Sequence, residues 1–347
     1  MAEILTVTRA LKITFEETRT NLAQFLSVFF PSVRIYAERE IPVDRIIQKP
    51  VLAKYREEGG ASNLLAYVPG KGDVYTPPVL AESTPIDERM AHSVVAGLEA
   101  NAGPEANRLR LLAQIQSQHD EMITRALLKQ AADIMATGKF QPVGKDGAKV
   151  GKEFDFGRDA ANTISANYSA SPVKQWTDAY DQYKKKRGPL NNLVVIAGDN
   201  WLSAIEKNAG FQKAAELQGL NAGYSRLVGE DGPLAQIVEM KIPGRPSRCR
   251  ILSFGEGYQN DDGAYEPFID PDTIIFTSLN APRIQIYAGI FLVENGGRRW
   301  VETGQLVSDT FIKKDPDCEV LRSQSAPLLV PGNVDHIVSA KTTTAYA

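Results

Sequence analysis

Residues 104–138 read PEANRLRLLAQIQSQHDEMITRALLKQAADIMATG. Leu109, Leu112, Ile115, His119, Met122, Ala126 and Leu127 recur there at the three- and four-residue spacing of one helix face. Pro104 suits a first helical turn, Glu105 suits the positive end of the dipole, and Gly138 suits a C-terminal cap. The spacing predicts a helix over residues 105–136. At ~1.5 Å per residue it would be about 48 Å long, whereas a globular helix averages about 11–12 residues. No clean heptad is sustained, so the expected role is a spine lying along a sheet.

Upstream, Leu11, Phe15, Leu22, Phe25, Leu26, Phe29 and Phe30 suggest a short amphipathic helix ending before Pro31, within an arm of about 40 residues. Phenylalanines so near a terminus need a partner surface. In a monomer they would cap the core, and in an assembly they could lie across a neighbour. From Ile41 to Met90 the pattern becomes extended. Val43, Ile46, Ile47, Val51 and Leu52 suggest one strand, and Val74, Tyr75, Val79 and Leu80 a second. Arg56-Glu57-Glu58-Gly59-Gly60 and Pro69-Gly70-Lys71-Gly72 supply turn chemistry between them. A long hairpin with so few apolar residues leaves its edges open in a lone globule, and it makes sense lying on another subunit.

Downstream, Phe140 to Phe156 alternates around Lys145-Asp146-Gly147, the pattern of a hairpin. Residues 171–188 predict a helix carrying Trp176, Ala179, Tyr180 and Tyr183. Residues 193–197 predict a buried strand, and residues 200–219 a further helix with Trp201, Ile205, Phe211 and Leu217. Strands follow near residues 238–254, 273–278 and 283–294, so residues 170–295 form a mixed α/β block with its own core. Residues 298–341 read as extended segments needing a sheet, which the spine helix can cover. Residues 341–347 are small and polar, and are expected to be loose.

The chain has 347 residues, 43% hydrophobic and 23% charged, which fits a folded protein with room for two cores. Its net charge of −3 lacks the basic excess of a dedicated nucleic-acid binder, but is compatible with a container whose inner wall faces DNA. No apolar run is long enough to cross a membrane, and the first residues lack a secretion signal, so a cytoplasmic origin is expected. Cys249 and Cys318 lie in no CxxC pattern and read as buried or half-buried thiols.

Motifs for chemistry are weak. Ser171-Pro172-Val173-Lys174 has Ser-x-x-Lys spacing but lacks the companion elements of that catalytic class, and Ser171 is better read as a helix N-cap. His92, His119 and His336 share no metal-ligand spacing, and His119 reads as a solvated or core-edge histidine. Asp270-Pro271-Asp272 and Asp315-Pro316-Asp317 read as turns, with weak cation binding the alternative; Asn260-Asp261-Asp262-Gly263 reads as a turn. Lys184 to Arg187 reads as a basic last helical turn, or as a contact for nucleic acid or an acidic neighbour. No catalytic, cofactor-binding or metal-binding residues are expected.

Particular strings carry a resemblance. Ala136-Thr137-Gly138-Lys139-Phe140, then Phe154-Asp155-Phe156-Gly157-Arg158, follow the spine. Tyr75-Thr76-Pro77-Pro78-Val79 leads to Thr84-Pro85. Later come Phe268-Ile269-Asp270-Pro271-Asp272-Thr273, Arg299-Trp300-Val301-Glu302-Thr303-Gly304 and Gln324-Ser325-Ala326-Pro327-Leu328-Leu329. In this order they resemble the major capsid protein E family of lambda-like tailed bacteriophages. The resemblance implies an α+β Hong Kong 97-type capsid fold. Its parts would be an N-terminal arm (1–42), an extended β-hairpin loop (43–90), a peripheral domain (91–170 and 298–341) with the spine helix at 105–136, and an axial α/β domain (171–297).

The same resemblance implies a structural protein of the virion, not an enzyme. Its subunits would form hexamers and pentamers of an icosahedral shell, assembled in the host bacterial cytoplasm around double-stranded DNA contacted without sequence preference. Portal and scaffolding proteins, and often a decoration protein, would be partners; no membrane and no cofactor would. A container of encapsulin type shares the fold and is the alternative. A hydrolase-like α/β enzyme would need a nucleophile and base that this sequence does not offer.

Overall fold

The computed structural model describes residues 23–45, 71–86, 104–144, 147–186, 188–217, 234–260, 262–293, 299–314 and 317–346. Helix α1 (Gln24–Phe29) ends before Pro31, as predicted, and leads into strand β1 (Ser32–Ile35). Phe25, Phe29 and Phe30 are fully buried in the subunit's own core, the Phe25 ring centroid 4.6 Å from that of Phe254. These phenylalanines therefore cap the core of their own chain, and β1 pairs in parallel with residues 284–287. Phe15 lies outside the described residues, as does the rest of residues 1–22.

Strands β2 (Ile41–Arg45) and β3 (Lys71–Tyr75) pair antiparallel from Ile41↔Tyr75 to Arg45↔Lys71, forming a hairpin stem. The predicted apolar residues Ile46, Ile47, Val51 and Leu52 lie outside the described residues. Val79 and Leu80 do not continue the second strand. Pro77 and Pro78 have no N–H to extend the ladder, and the chain turns into β4 (Leu80–Ile86), which pairs with residues 319–325 instead.

The spine is one unbroken helix, α2 (Pro104–Thr137). Its buried line runs through Leu112, Ile115, His119, Ile123, Leu127, Ala131 and Met135. Met122 departs from expectation: it is 49% exposed. A three-residue step from His119 reaches Met122, but the buried line takes four-residue steps and reaches Ile123. After Gly138, at φ +76°, β5 (Lys139–Phe140) and β6 (Phe154–Asp155) form the predicted short hairpin.

A six-stranded sheet lies across the end of the spine. Its members are β7 (Thr163–Ala166), β8 (Leu193–Ala197), β9 (Leu234–Lys241), β10 (Arg248–Phe254), β13 (Thr273–Ser278) and β20 (Val338–Thr342), in the order β7-β20-β13-β8-β10-β9. The small pair β11 (Gly257–Gln259) and β12 (Tyr265–Pro267) precedes β13. Helix α3 (Pro172–Lys185) packs on one face with Trp176, Tyr180 and Tyr183, joined by Trp201 and Ile205 of α4 (Asp199–Lys207). Val195, Ile274 and Phe276 meet that face, while Val194, Ile196 and Ile275 point into the main core beside Ile134 and Met135 of the spine. Burial on both faces explains the unbroken apolar run at residues 193–197.

The single helix predicted over residues 200–219 is two, α4 and α5 (Ala209–Leu217). Asn208 separates them in an extended conformation, its side chain accepting from Phe211 N–H at 3.1 Å. A local side-chain bond of this kind competes with helix continuation.

Strands β14 (Arg283–Tyr287) and β19 (Pro327–Pro331) pair antiparallel, with β1 on the far edge of β14. β15 (Ile290–Val293) and β16 (Arg299–Glu302) form a two-stranded ribbon. β17 (Val307–Lys314), β18 (Asp317–Ser325) and β4 make a three-stranded sheet along the N-terminal half of the spine. Residues 338–342 depart from their predicted grouping with 298–341: β20 sits inside the six-stranded sheet between β13 and β7. Its local pattern announces an extended strand but not its partner. Tyr346, expected to be loose, is tied down: it donates to Gln175 Oε1 and packs against the α3 core; Ala347 lies outside the described residues.

Candidate assembly surfaces

Two kinds of feature are available to a structural role: the seam that holds the spine against its sheet, and the apolar surface left outside. The seam begins near the helix N-terminus. Arg108 donates to both carboxylate oxygens of Glu319 on β18, at 2.9 and 2.6 Å. Leu111, Leu112 and Ile115 then pack on Leu321. One turn further, the buried His119 exchanges a 2.7 Å hydrogen bond with Thr84 on β4 and a 3.0 Å bond with Ser323 on β18. Ser323 bonds onward to Ser308 on β17 at 3.0 Å. One imidazole thus joins the spine to all three strands. Periodicity placed His119 on the stripe, but nothing in the sequence marked Thr84, Ser308 or Ser323 as its partners, because small hydroxyl residues on strands look alike until register aligns them.

Burial holds the His119 ring below the usual histidine range, and burial likewise lowers His336. The unfolded chain therefore takes up protons near ~6.5 while the native His119 stays neutral to lower pH. Stability is full above that value and is lost as pH falls toward the depressed native pKa. The melting temperature should drop between about pH 7 and pH 5, and His119→Gln should show a shallower drop over the same interval. Equal slopes in a pH series of thermal unfolding would show that His119 contributes nothing to it.

The outer surface carries several large apolar side chains. On the β15–β16 ribbon, Phe291 and Val301 are directly opposed and 53% and 52% exposed, while Trp300 pairs with the buried Leu292 on the other face. Val33 and Ile35 alternate on one face of the edge strand β1. Val74 stands on the hairpin stem, and Ile312 on the edge strand β17. Exposed apolar residues on two-stranded ribbons and free sheet edges are the usual marks of surfaces that pair with another chain.

The described residues among those considered for chemistry make the following contacts. Ser171 occupies the N-cap position of α3 without a side-chain cap bond, and Lys174 pairs with Asp178 at 2.6 Å. Asp270 accepts from Asp272 N–H in a turn, Asp272 accepts from Asn200, and Lys341 pairs with Asp270. Asn260 accepts from the N–H groups of Asp262 and Ala264, closing the turn at Gly263. Lys184 and Lys185 end α3, and Lys186 pairs with Asp159. Cys249 is buried, and burial pushes its thiol well above the ordinary range; Cys318 is half-buried. His92, Arg187, Asp315 and Pro316 lie outside the described residues. Among the described residues no three His, Cys, Asp or Glu side chains are grouped to hold a metal ion, and no helix is long and apolar enough to cross a membrane.

Comparison with known proteins gives these surfaces a context. A prophage capsid protein from E. coli CFT073 superposes with a TM-score of 0.65 at 16% identity, covering 97% of this chain and 99% of that one. The mature capsid of bacteriophage PhiM1 matches with a TM-score of 0.46 at 14% identity, covering 90% and 85%. The SrpI encapsulin complex of Synechococcus elongatus PCC 7942 matches with a TM-score of 0.49 at 11% identity, covering 95% and 91%. No curated protein matches the sequence. The fold is the Hong Kong 97-type capsid fold. The family described as phage major capsid protein E matches residues 7–342. A spine seamed to a sheet, open ribbons and a match over nearly the whole length agree, and the chain belongs to the phage major capsid protein E family.

Proposed function

We propose that this phage capsid subunit forms hexamers and pentamers, and that these close into an icosahedral head shell around double-stranded DNA. Assembly takes place in the host bacterial cytoplasm, with portal and scaffolding proteins as separate partners. The observation that carries the reading is the pair of two-stranded ribbons, β2–β3 and β15–β16, with Val74, Phe291 and Val301 exposed on them. Each ribbon buries one face in the subunit core, through Ile41 and Tyr75 and through Ile290 and Leu292, and a neighbouring subunit covers the apolar side chains left on the other face. The peripheral part comprises most of residues 91–170 and of 298–341, and the axial part residues 171–297. Residues 163–166 and 338–342 join the axial part, because β7 and β20 pair inside its sheet. Electron microscopy of the expressed protein should show closed shells or mixed hexamers and pentamers. Only small oligomers, with or without the phage partners, would overturn the proposal. Nuclease-resistant DNA inside particles from infected cells is the matching test for the cargo.

The shell is held without covalent links between Lys and Asn side chains of neighbouring subunits. Mature particles dissolved in denaturant should run as one band near 38.0 kDa. A ladder of heavier species would show crosslinking.

A further inference from the structure

The strings at residues 136–140 and 154–158 meet in space at the C-terminal end of the spine. Gly138 turns the chain at φ +76°, and a Cβ there would lie 2.5 Å from the Cβ of Arg158. Phe156 N–H donates to Gly138 C=O at 3.1 Å, which holds the two strings together. From this close approach the Arg158 side chain runs back under the helix. Its Nη1 donates to the carbonyls of Met135 and Ala136, at 3.1 and 2.8 Å, in the last turn of α2. Its Nη2 donates to Asn162 C=O at 2.5 Å and to Ser339 Oγ on β20 at 3.0 Å. Ser339 Oγ itself donates to Ala136 C=O at 2.7 Å. One guanidinium therefore binds three elements: the spine, the segment at residues 160–162 and the six-stranded sheet.

The group is largely buried, and burial lowers its pKa to about 10, so it still carries its charge at neutral pH. Its hydrogen-bond acceptors are three carbonyls and a hydroxyl, while the Asp335 carboxylate nearby accepts from Asp159 N–H and from Asn162 Nδ2. A cation beneath exposed helix carbonyls opposes the negative end of the dipole. The planar fork is what allows four acceptors on three elements to be held in fixed directions.

We propose that Arg158 is a positioning residue for shell assembly, which fixes the direction in which the spine leaves the six-stranded sheet. The reason is leverage. At ~1.5 Å per residue the 34-residue helix is about 51 Å long, so a tilt of about 5° at the Gly138 end moves the Pro104 end by about 4 Å. Apolar contacts lose a quarter to a half of their attraction with a gap of only ~0.5–1 Å. The three-stranded sheet rides on that distant end through Arg108, His119 and Leu321. A small loss of definition at Arg158 therefore misplaces every contact surface on that sheet relative to those on the six-stranded one.

The inference rests on the shell reading above. Arg158→Lys keeps the charge but concentrates its donors on one nitrogen. Its subunits should be soluble and unfold cooperatively, yet form open, irregular or wrongly sized particles in place of closed shells of wild-type diameter. Ile205→Val, a variant in the separate core on the far face of the six-stranded sheet, serves as a control for lost stability alone. Closed shells of normal diameter from Arg158→Lys, or the same aberrant particles from Ile205→Val, would overturn the proposal. If Arg158→Lys yields no soluble protein, Ser339→Ala replaces it and removes a single acceptor. Irregular particles from that variant support the proposal, and normal shells overturn it. Absence of shells from the unmodified protein would instead overturn the shell reading itself.

Discussion

Ile115→Asp should leave no soluble, cooperatively unfolding subunit. Ile115 is 2% exposed and packs with Leu111, Leu112 and Leu321, a small cluster that joins the spine to the three-stranded sheet. Truncating such a side chain costs about 2–5 kcal/mol. An unpaired carboxylate in the same place adds several kcal/mol more. Together these approach the ~5–15 kcal/mol that stabilises a typical fold. The cluster has few other members to absorb the loss, so the sheet should detach and expose β4, β17 and β18. Met122→Ala, seven residues further along the same helix, should change stability by no more than about 0.5 kcal/mol, because the side chain is half-exposed. Arg110→Ala, at an exposed position, should fold equally well. Soluble yield and thermal unfolding of the three variants decide the matter. A folded Ile115→Asp subunit with a normal melting temperature would mean that the seam does not hold the sheet.

Shortening the hairpin should separate folding from assembly. The stem β2–β3 has five register pairs, closing at Arg45↔Lys71. Replacing residues 48–68 by a two-residue Asn-Gly turn spares all five. The main core takes Ile41 and Tyr75 from this stem, with Tyr75 ringed by Phe154 and Phe156 at 6.1 and 5.6 Å. That anchoring lies wholly outside the removed segment. The shortened subunit should therefore keep its melting temperature to within a few degrees and lose closed shells altogether. Normal shells from this variant in electron micrographs would show that the loop makes no necessary contact with a neighbour.

Much of this architecture was legible in the order of residues, for identifiable reasons. The spine, the α3 helix with its aromatic face and the run at residues 193–197 are elements whose burial pattern repeats at the period of their own backbone. A local window therefore contains the whole signal. Pro31 and Gly138 stop their helices by their own covalent geometry, so those ends were legible too. The family strings could be matched one by one because their order along the chain is itself a property of sequence.

Tertiary structure decided whatever depended on which strand meets which. Leu80 reads as hairpin by sequence, but the prolines before it release the chain to pair with β18. Residues 338–342 are plainly extended, yet only the pairing of β20 with β13 and β7 assigns them to the six-stranded sheet. Met122 and Ile123 are neighbours of similar character, and a rotation of about 100° per residue chooses between them only once a sheet lies against the helix. The phenylalanines of α1 had two possible partners, and contact with Phe254, more than 200 positions away, selected one. His119 and Arg158 needed partners from β18 and β20 that lie about 200 residues along the chain. Hydrogen bonds of that kind depend on register between distant segments, and no local period records it.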